Sequence, residues 1–109
     1  GAATPDQIEA VDMFFRQKAK RLQFQCYNSE VDKTHRKYEG NITISVMVLP
    51  GGKMKDAKLI NNTLRSLDKE REVSSGIADC VMQNINEWEW PAVSGPAPYM
   101  ASINFKPAW

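Results

Sequence analysis

Cys26, Cys80 and the single histidine, His35, are the side chains of this sequence best suited to nucleophilic, redox or metal chemistry. A structural zinc ion takes four ligands, usually in closely spaced pairs. Neither cysteine belongs to a CxxC, and these residues alone do not complete a tetrahedron. Cys26 with His35 has the composition of a thiol nucleophile and its base. Cys26, however, lies on an apolar stripe, where a thiol is normally buried and inert. No GxSxG, HExxH or P-loop occurs. Pro50-Gly51-Gly52-Lys53 superficially resembles a phosphate-binding loop, but no helical pattern follows it, so it reads as a hairpin turn. No residue is therefore assigned to catalysis, a cofactor or a metal. The two cysteines stand 54 positions apart, and spacing alone leaves open two buried thiols or one disulfide.

Of 109 residues, 42% are apolar and 25% charged, enough to close one core and too apolar for a disordered tail. A net charge of +1 excludes the basic excess of a dedicated nucleic-acid binder. No apolar run approaches the roughly 20 residues needed to span a bilayer, and the start shows no signal-peptide pattern. Residues 1–7 read as a flexible lead-in or a cloning scar, and residues 8–109 as one domain.

Ile8, Val11, Phe15, Ala19, Leu22 and Cys26 follow steps of 3, 4, 4, 3 and 4, the spacing of one helical stripe. A helix is expected from Gln7 to about Val31, capped by Asp6, with Arg16, Lys18, Lys20 and Arg21 on the other side. Phe14 and Phe24 fall off the stripe and read as second-layer core or as an exposed contact. From Gly40 to Leu49, Ile42, Ile44, Val46 and Val48 alternate with smaller or polar residues, the period of a half-buried strand. After the Pro50–Gly52 turn, the step from Met54 to Ala57 breaks the alternation, which a bulge near Lys55-Asp56 would restore. Residues 61–75 read as a long polar connection with a helical turn over Leu67–Val73. A second helix, capped by Ser74 or Ser75, runs to about Trp88, with Ile77, Cys80, Val81, Asn84 or Ile85, and Trp88 facing inward. The last strand, Tyr99 to Lys106, lies between Pro98 and Pro107.

The fold class is α+β with the order α-β-β-α-β. Three strands cannot hide both faces alone, so both helices pack on one face of the sheet. A right-handed crossover gives strand order 2-1-3 with the last strand parallel to the second. The stripes holding Cys26 and Cys80 then face one sheet from adjacent helices, which favours the disulfide.

Glu39-Gly40-Asn-Ile-Thr-Ile-Ser-Val, Pro50-Gly-Gly-Lys-Met, Leu59-Ile-Asn-Asn-Thr and Trp88-Glu-Trp90-Pro91 together resemble the TonB C-terminal domain. Leu22-Gln-Phe-Gln-Cys26-Tyr27 and Ile77-Ala-Asp-Cys80-Val81 are similar to its paired-cysteine, AgmX/PglI-like subtype from gliding-motility proteins. The resemblance covers about residues 8–106. It departs from the family pattern at Asn86-Glu87, where related sequences often carry arginines, and in the longer, more charged segment 61–75. It implies a periplasmic domain at the C-terminal part of an inner-membrane-anchored protein. It further implies energy transduction from a proton-driven motor, reached through a preceding region, to an outer-membrane or other periplasmic protein in motility or transport. A Cys26–Cys80 bridge is implied as well.

Such a role needs no active site and no small-molecule substrate. A strand edge presents unpaired N–H and C=O groups to which a partner peptide can add as a further strand. The last strand, Tyr99, Met100, Ala101, Ser102, Ile103, Asn104 and Phe105, is the expected edge, with Met100, Ser102 and Asn104 flanking the guest. The same sequence admits two other readings. One is a passive scaffold or cell-wall contact. The other is nucleic-acid binding through Lys53, Lys55 and Lys58, which more often guard an edge against aggregation. Trp88 is the tryptophan expected in the core, and Trp109 reads as a sticky tip or a residue folded back on the sheet.

Overall fold

The apolar stripe from Ile8 to Cys26 spans about five turns and lies within a longer helix. In the computed structural model, which describes residues 2–107 and only the backbone over 69–72, α1 spans Pro5–Thr34. Its start is set by Thr4 rather than Asp6. The Thr4 hydroxyl accepts from the Gln7 N–H, and the Gln7 side chain accepts from the Thr4 N–H. This reciprocal capping box lets Pro5 occupy the first turn, where a missing N–H costs nothing. Pro5 to Gln7, expected to belong to a flexible lead-in, are thus helical. The helix ends at His35, whose left-handed backbone (φ 59°) returns its N–H to the Val31 carbonyl.

β1 (Tyr38–Leu49) is the centre of the sheet. It pairs antiparallel with β2 (Lys53–Asn62) on one side and with β5 (Ala97–Phe105) on the other. The order β2-β1-β5 is the expected 2-1-3, with β5 running in the direction of β2. Its inward residues Ile42, Ile44, Val46 and Val48 are all buried, so one face of the central strand is the floor of the core. Val11, Phe15 and Leu22 of α1 join them there, as do Ile77, Val81 and Ile85 of α2 (Gly76–Glu87). The expected bulge is present. Ser45 pairs with Lys58 and Met47 with Lys55, which leaves Asp56 and Ala57 opposite Val46, and Asp56 takes φ 55°.

The segment after Asn62 differs from expectation. It contains no helical turn over Leu67–Val73, but a hairpin of β3 (Arg65–Ser66) and β4 (Lys69–Val73). The physical reason is the lack of an inner stripe. Leu67 and Val73 are both half-exposed, so no apolar face draws a helix onto the sheet. The backbone groups pair with a neighbouring strand instead, and Tyr38-Glu39 of β1 extends the ladder to Ser66 and Arg65. The buried Ser66 hydroxyl donates to the Asp68 carboxylate in the turn. The crossing from β2 to β3 passes tightly over Gly40. That glycine has φ 146°, and a Cβ there would lie 2.6 Å from the Thr63 carbonyl oxygen.

α2 begins after Ser75, whose side chain makes no capping bond. The carboxylate of Glu30, from α1, occupies the space beside Gly76 and accepts from the Ser74 hydroxyl at 3.3 Å. An anion from one helix thus sits at the positive end of the other. Cys26 and Cys80 join the two helices in a disulfide, with Cα atoms 5.7 Å apart. Tyr27, next to Cys26, ties α1 to the start of β1: its hydroxyl accepts from the Tyr38 N–H (3.0 Å) and donates to the Tyr38 carbonyl (3.1 Å).

The tryptophans exchange their expected roles. Trp90 is the deeply buried one, while Trp88, just past the end of α2, is half-buried. Phe14 packs between them, with ring centres 5.7 and 5.2 Å away, and so belongs to the second layer of core. Phe24 is 69% exposed. Trp109 lies outside the described residues.

Candidate partner-binding edge

A sheet of this order has two outer strands, and their sequences treat the edge differently. β2 is interrupted twice, at Asp56-Ala57 and again at Ile60, and carries Lys53, Lys55 and Lys58. Bulges and lysines are the usual means by which an edge is kept from pairing. β5 is regular. Its nine residues, Ala97 to Phe105, match Val48 to Gly40 one for one without a register shift. No strand pairs with its other side among the described residues.

The direction of the free backbone groups follows from β1. Asn41 directs its carbonyl and its N–H toward Thr63, on the β2 side. The pair Asn41–Asn104 therefore exchanges no backbone bonds, and the N–H and C=O of Asn104 point away from the sheet. By alternation the same holds for Met100 and Ser102. Pro98, the next residue of that series, has no N–H, and Pro107 follows the strand. The pairing template is thus confined to Met100, Ser102 and Asn104, and the Asn104 carbonyl already accepts from the Gln23 amide of α1.

The side chains of β5 divide as expected. Ile103 and Phe105 are buried, Tyr99 and Ala101 half-buried, and Met100, Ser102 and Asn104 exposed. Only Met100, at 62% exposure, makes no polar contact and is free to cover a guest. The Ser102 hydroxyl is hydrogen-bonded to that of Thr43 at 2.7 Å, and the Asn104 amide donates to Asn41 Oδ1 at 3.0 Å. Both lean back over β1 rather than flank the free edge.

The composition of the sequence did not reveal what lies beside that edge. α1 runs alongside β5 in the same direction. Tyr99 donates to Asp12 Oδ1 at 2.7 Å, and the Gln23 amide donates to the Asn104 carbonyl at 2.7 Å. Eleven helical residues and five strand residues both span about 16 Å, so the two elements stay in step. Between them lies a groove of about 480 Å³, whose floor includes Phe15, Ala19, Ala101 and Ile103. It continues past Asn104 into a second hollow of about 320 Å³ bordered by Phe24 and Lys106. Arg16 and Lys20, expected on the solvent side, form its outer wall. They lie next to the buried stripe, and their spacing with Asp12 at four-residue steps was the available signal.

Electrostatics at the upper end are fixed by a small cluster. Asp12 Oδ2 pairs with Arg16 Nε at 2.8 Å while Oδ1 receives the Tyr99 hydroxyl. Burial, then the hydrogen bond to Asp12 and its negative charge, push the Tyr99 phenol well above its ordinary range. Tyr99 therefore stays a neutral donor.

Cys26, set aside as a nucleophile on the sequence, is bonded to Cys80 and carries no free thiol to pair with His35. No group of three or more His, Cys, Asp or Glu is placed to hold a metal among the described residues. No helix among them is long and apolar enough to cross a membrane. The fold and the edge together define a small disulfide-linked α+β domain with one regular, open strand beside a helix. No protein-family model matches the chain, and no curated protein or solved structure is significantly similar to it.

Proposed function

We propose that this is a protein-interaction domain that captures an extended segment of a partner by strand addition to β5. One observation carries the reading: among the described residues β5 is paired on one side only, in perfect register, and the outward backbone groups of Met100 and Ser102, with the N–H of Asn104, open beside the groove along α1. Main-chain bonds to such an edge supply affinity, and the groove supplies selectivity. The likeness of the sequence to the TonB C-terminal domain, and to its paired-cysteine gliding-motility subtype, suggests the setting. In that setting the domain works in the periplasm of a two-membrane bacterium. It ends a chain anchored in the inner membrane and couples a proton-driven motor to an outer-membrane or outer-envelope protein. The disulfide is compatible with that oxidising compartment.

The test places a photoreactive side chain at Met100, and separately at Lys58 on the guarded edge, in cells of such a bacterium. Crosslinking from Met100 to one envelope protein, absent from Lys58, is the expected result. Ser102→Pro should abolish it, because it removes an outward N–H without taking a bond from the β1–β5 ladder. A product that forms equally from Lys58, or that survives Ser102→Pro in a folded domain, overturns the reading.

A further inference from the structure

We propose that the guest of the β5 groove is an acidic extended segment, with carboxylate side chains at alternate positions facing α1. This deepens the strand-addition reading and rests on it. The charged groups on the groove are Asp12, Arg16 and Lys20 on α1, with Lys106 at the lower hollow. Asp12 is the only anion among them, and both its oxygens are occupied, one by Arg16 Nε and one by the Tyr99 hydroxyl. Arg16 keeps the rest of its guanidinium free in solvent, at 76% exposure. Lys20 is exposed on the same wall. The unsatisfied charge that a guest meets is therefore positive from end to end.

The spacing of these cations suits a strand. Arg16 and Lys20 are one helical turn apart, about 6 Å along the axis. Side chains on one face of an extended peptide recur every second residue, about 6.7 Å apart. Since α1 and β5 run in step, a guest lying against β5 presents successive helix-facing side chains to Arg16 and then Lys20. Ala19 and Ala101, both small and half-buried, leave room beneath for the aliphatic stem of a glutamate. The opposite face of the guest meets Met100, where an apolar residue fits. The favoured pattern is thus Glu-x-Glu with apolar residues between.

The test uses peptides of the nine-residue length of β5, titrated by fluorescence anisotropy into the intact, oxidised domain. Four are compared: alternating Glu and Val, the same with Gln for Glu, the same with Lys for Glu, and the Glu form with alternate backbone amides methylated. Exposed ion pairs are modest, so the Glu peptide should bind about tenfold tighter than the Gln peptide at low salt. High salt should erase that difference. Lys20→Glu, at an exposed position that does not enter the core, should shift the preference toward the Lys peptide. Equal binding of the Glu, Gln and Lys peptides, with loss on methylation, overturns the charge inference and leaves strand addition standing. A methylated peptide that binds as well as its parent overturns strand addition, and this inference with it. Failure of every peptide to bind at millimolar concentration does the same.

Discussion

Reduction of the Cys26–Cys80 bridge is the most direct perturbation of this fold, because it changes no side chain beyond adding two hydrogens. The bridge closes a loop of 54 positions that contains β1 to β4. In the loop-entropy account, opening a loop of that size returns about 14 cal/mol/K to the unfolded chain, or about 4 kcal/mol at 25 °C. For 109 residues the unfolding entropy near the midpoint is about 230 cal/mol/K. The melting temperature should then fall by about 15–20 °C. Circular dichroism melts and guanidinium titrations, with and without a phosphine reductant, measure both quantities. A hollow of about 270 Å³ opens onto both cysteines and gives the reductant access. The denaturant dependence should steepen as well, since an open chain exposes more surface when unfolded. The double variant Cys26→Ala with Cys80→Ala should lose about 1 kcal/mol more, because Cys26 is buried in the core and its truncation leaves a void. A loss on reduction of less than about 1 kcal/mol, with no change in slope, would refute the claim that the bridge acts by constraining the unfolded state.

Two further outcomes are expected. Gly40→Ala should cost about 3 kcal/mol in a urea titration, since it combines an unfavourable φ with a Cβ pressed on the Thr63 carbonyl; a loss below about 1 kcal/mol would show that the β2–β3 crossing can move aside. Tyr99→Phe should lose about 1–2 kcal/mol near neutral pH through the hydrogen bond to Asp12. The folded Tyr99 pKa lies above its unfolded value near 10, so the unfolded chain releases this proton first as pH rises. The advantage of Tyr over Phe is complete below about pH 10 and shrinks above it, and parallel denaturation curves that keep a constant gap up to strongly alkaline pH would contradict this.

Much of the scaffold was legible because burial imposes a period. The 3–4 stripe of α1 and the strict alternation of β1 each report one buried face. The inward residues of β1 are all buried, whereas on α1 Val11, Phe15, Leu22 and Cys26 are buried, Ala19 is half-buried and Ile8, in the first turn, is exposed at 46%. The broken alternation after Met54 likewise located the bulge at Asp56-Ala57. The misreadings share a physical cause. Among the described side chains of segment 61–75 only Leu64 and Ser66 are buried, too few to leave a period. The N-cap is Thr4 rather than Asp6 because the reciprocal bond with Gln7 outcompetes a carboxylate two residues further in. Trp88 was expected inside because it continues the inner face of α2, but the helix ends at Glu87, and past it Trp90, whose backbone N–H donates to the Gly52 carbonyl, takes the buried position. The edge strand was named correctly as a strand, but its groove was invisible. Arg16, Lys20 and Gln23 acquire meaning only when α1 lies alongside β5, and no local pattern encodes that juxtaposition.

The covalent link also redraws the route by which tension crosses the molecule. A pull applied between the beginning of α1 and the end of β5 passes from backbone to sulfur at Cys26 and leaves again at Cys80. Residues 27–79 hang from that shortcut as a slack loop, and roughly 180 Å of extensible chain never pays out. What remains to resist is the seam where β5 lies on β1, together with the packing of the helices. Under strain the domain behaves as a short tether with one seam to tear, not as a long thread unravelling strand by strand.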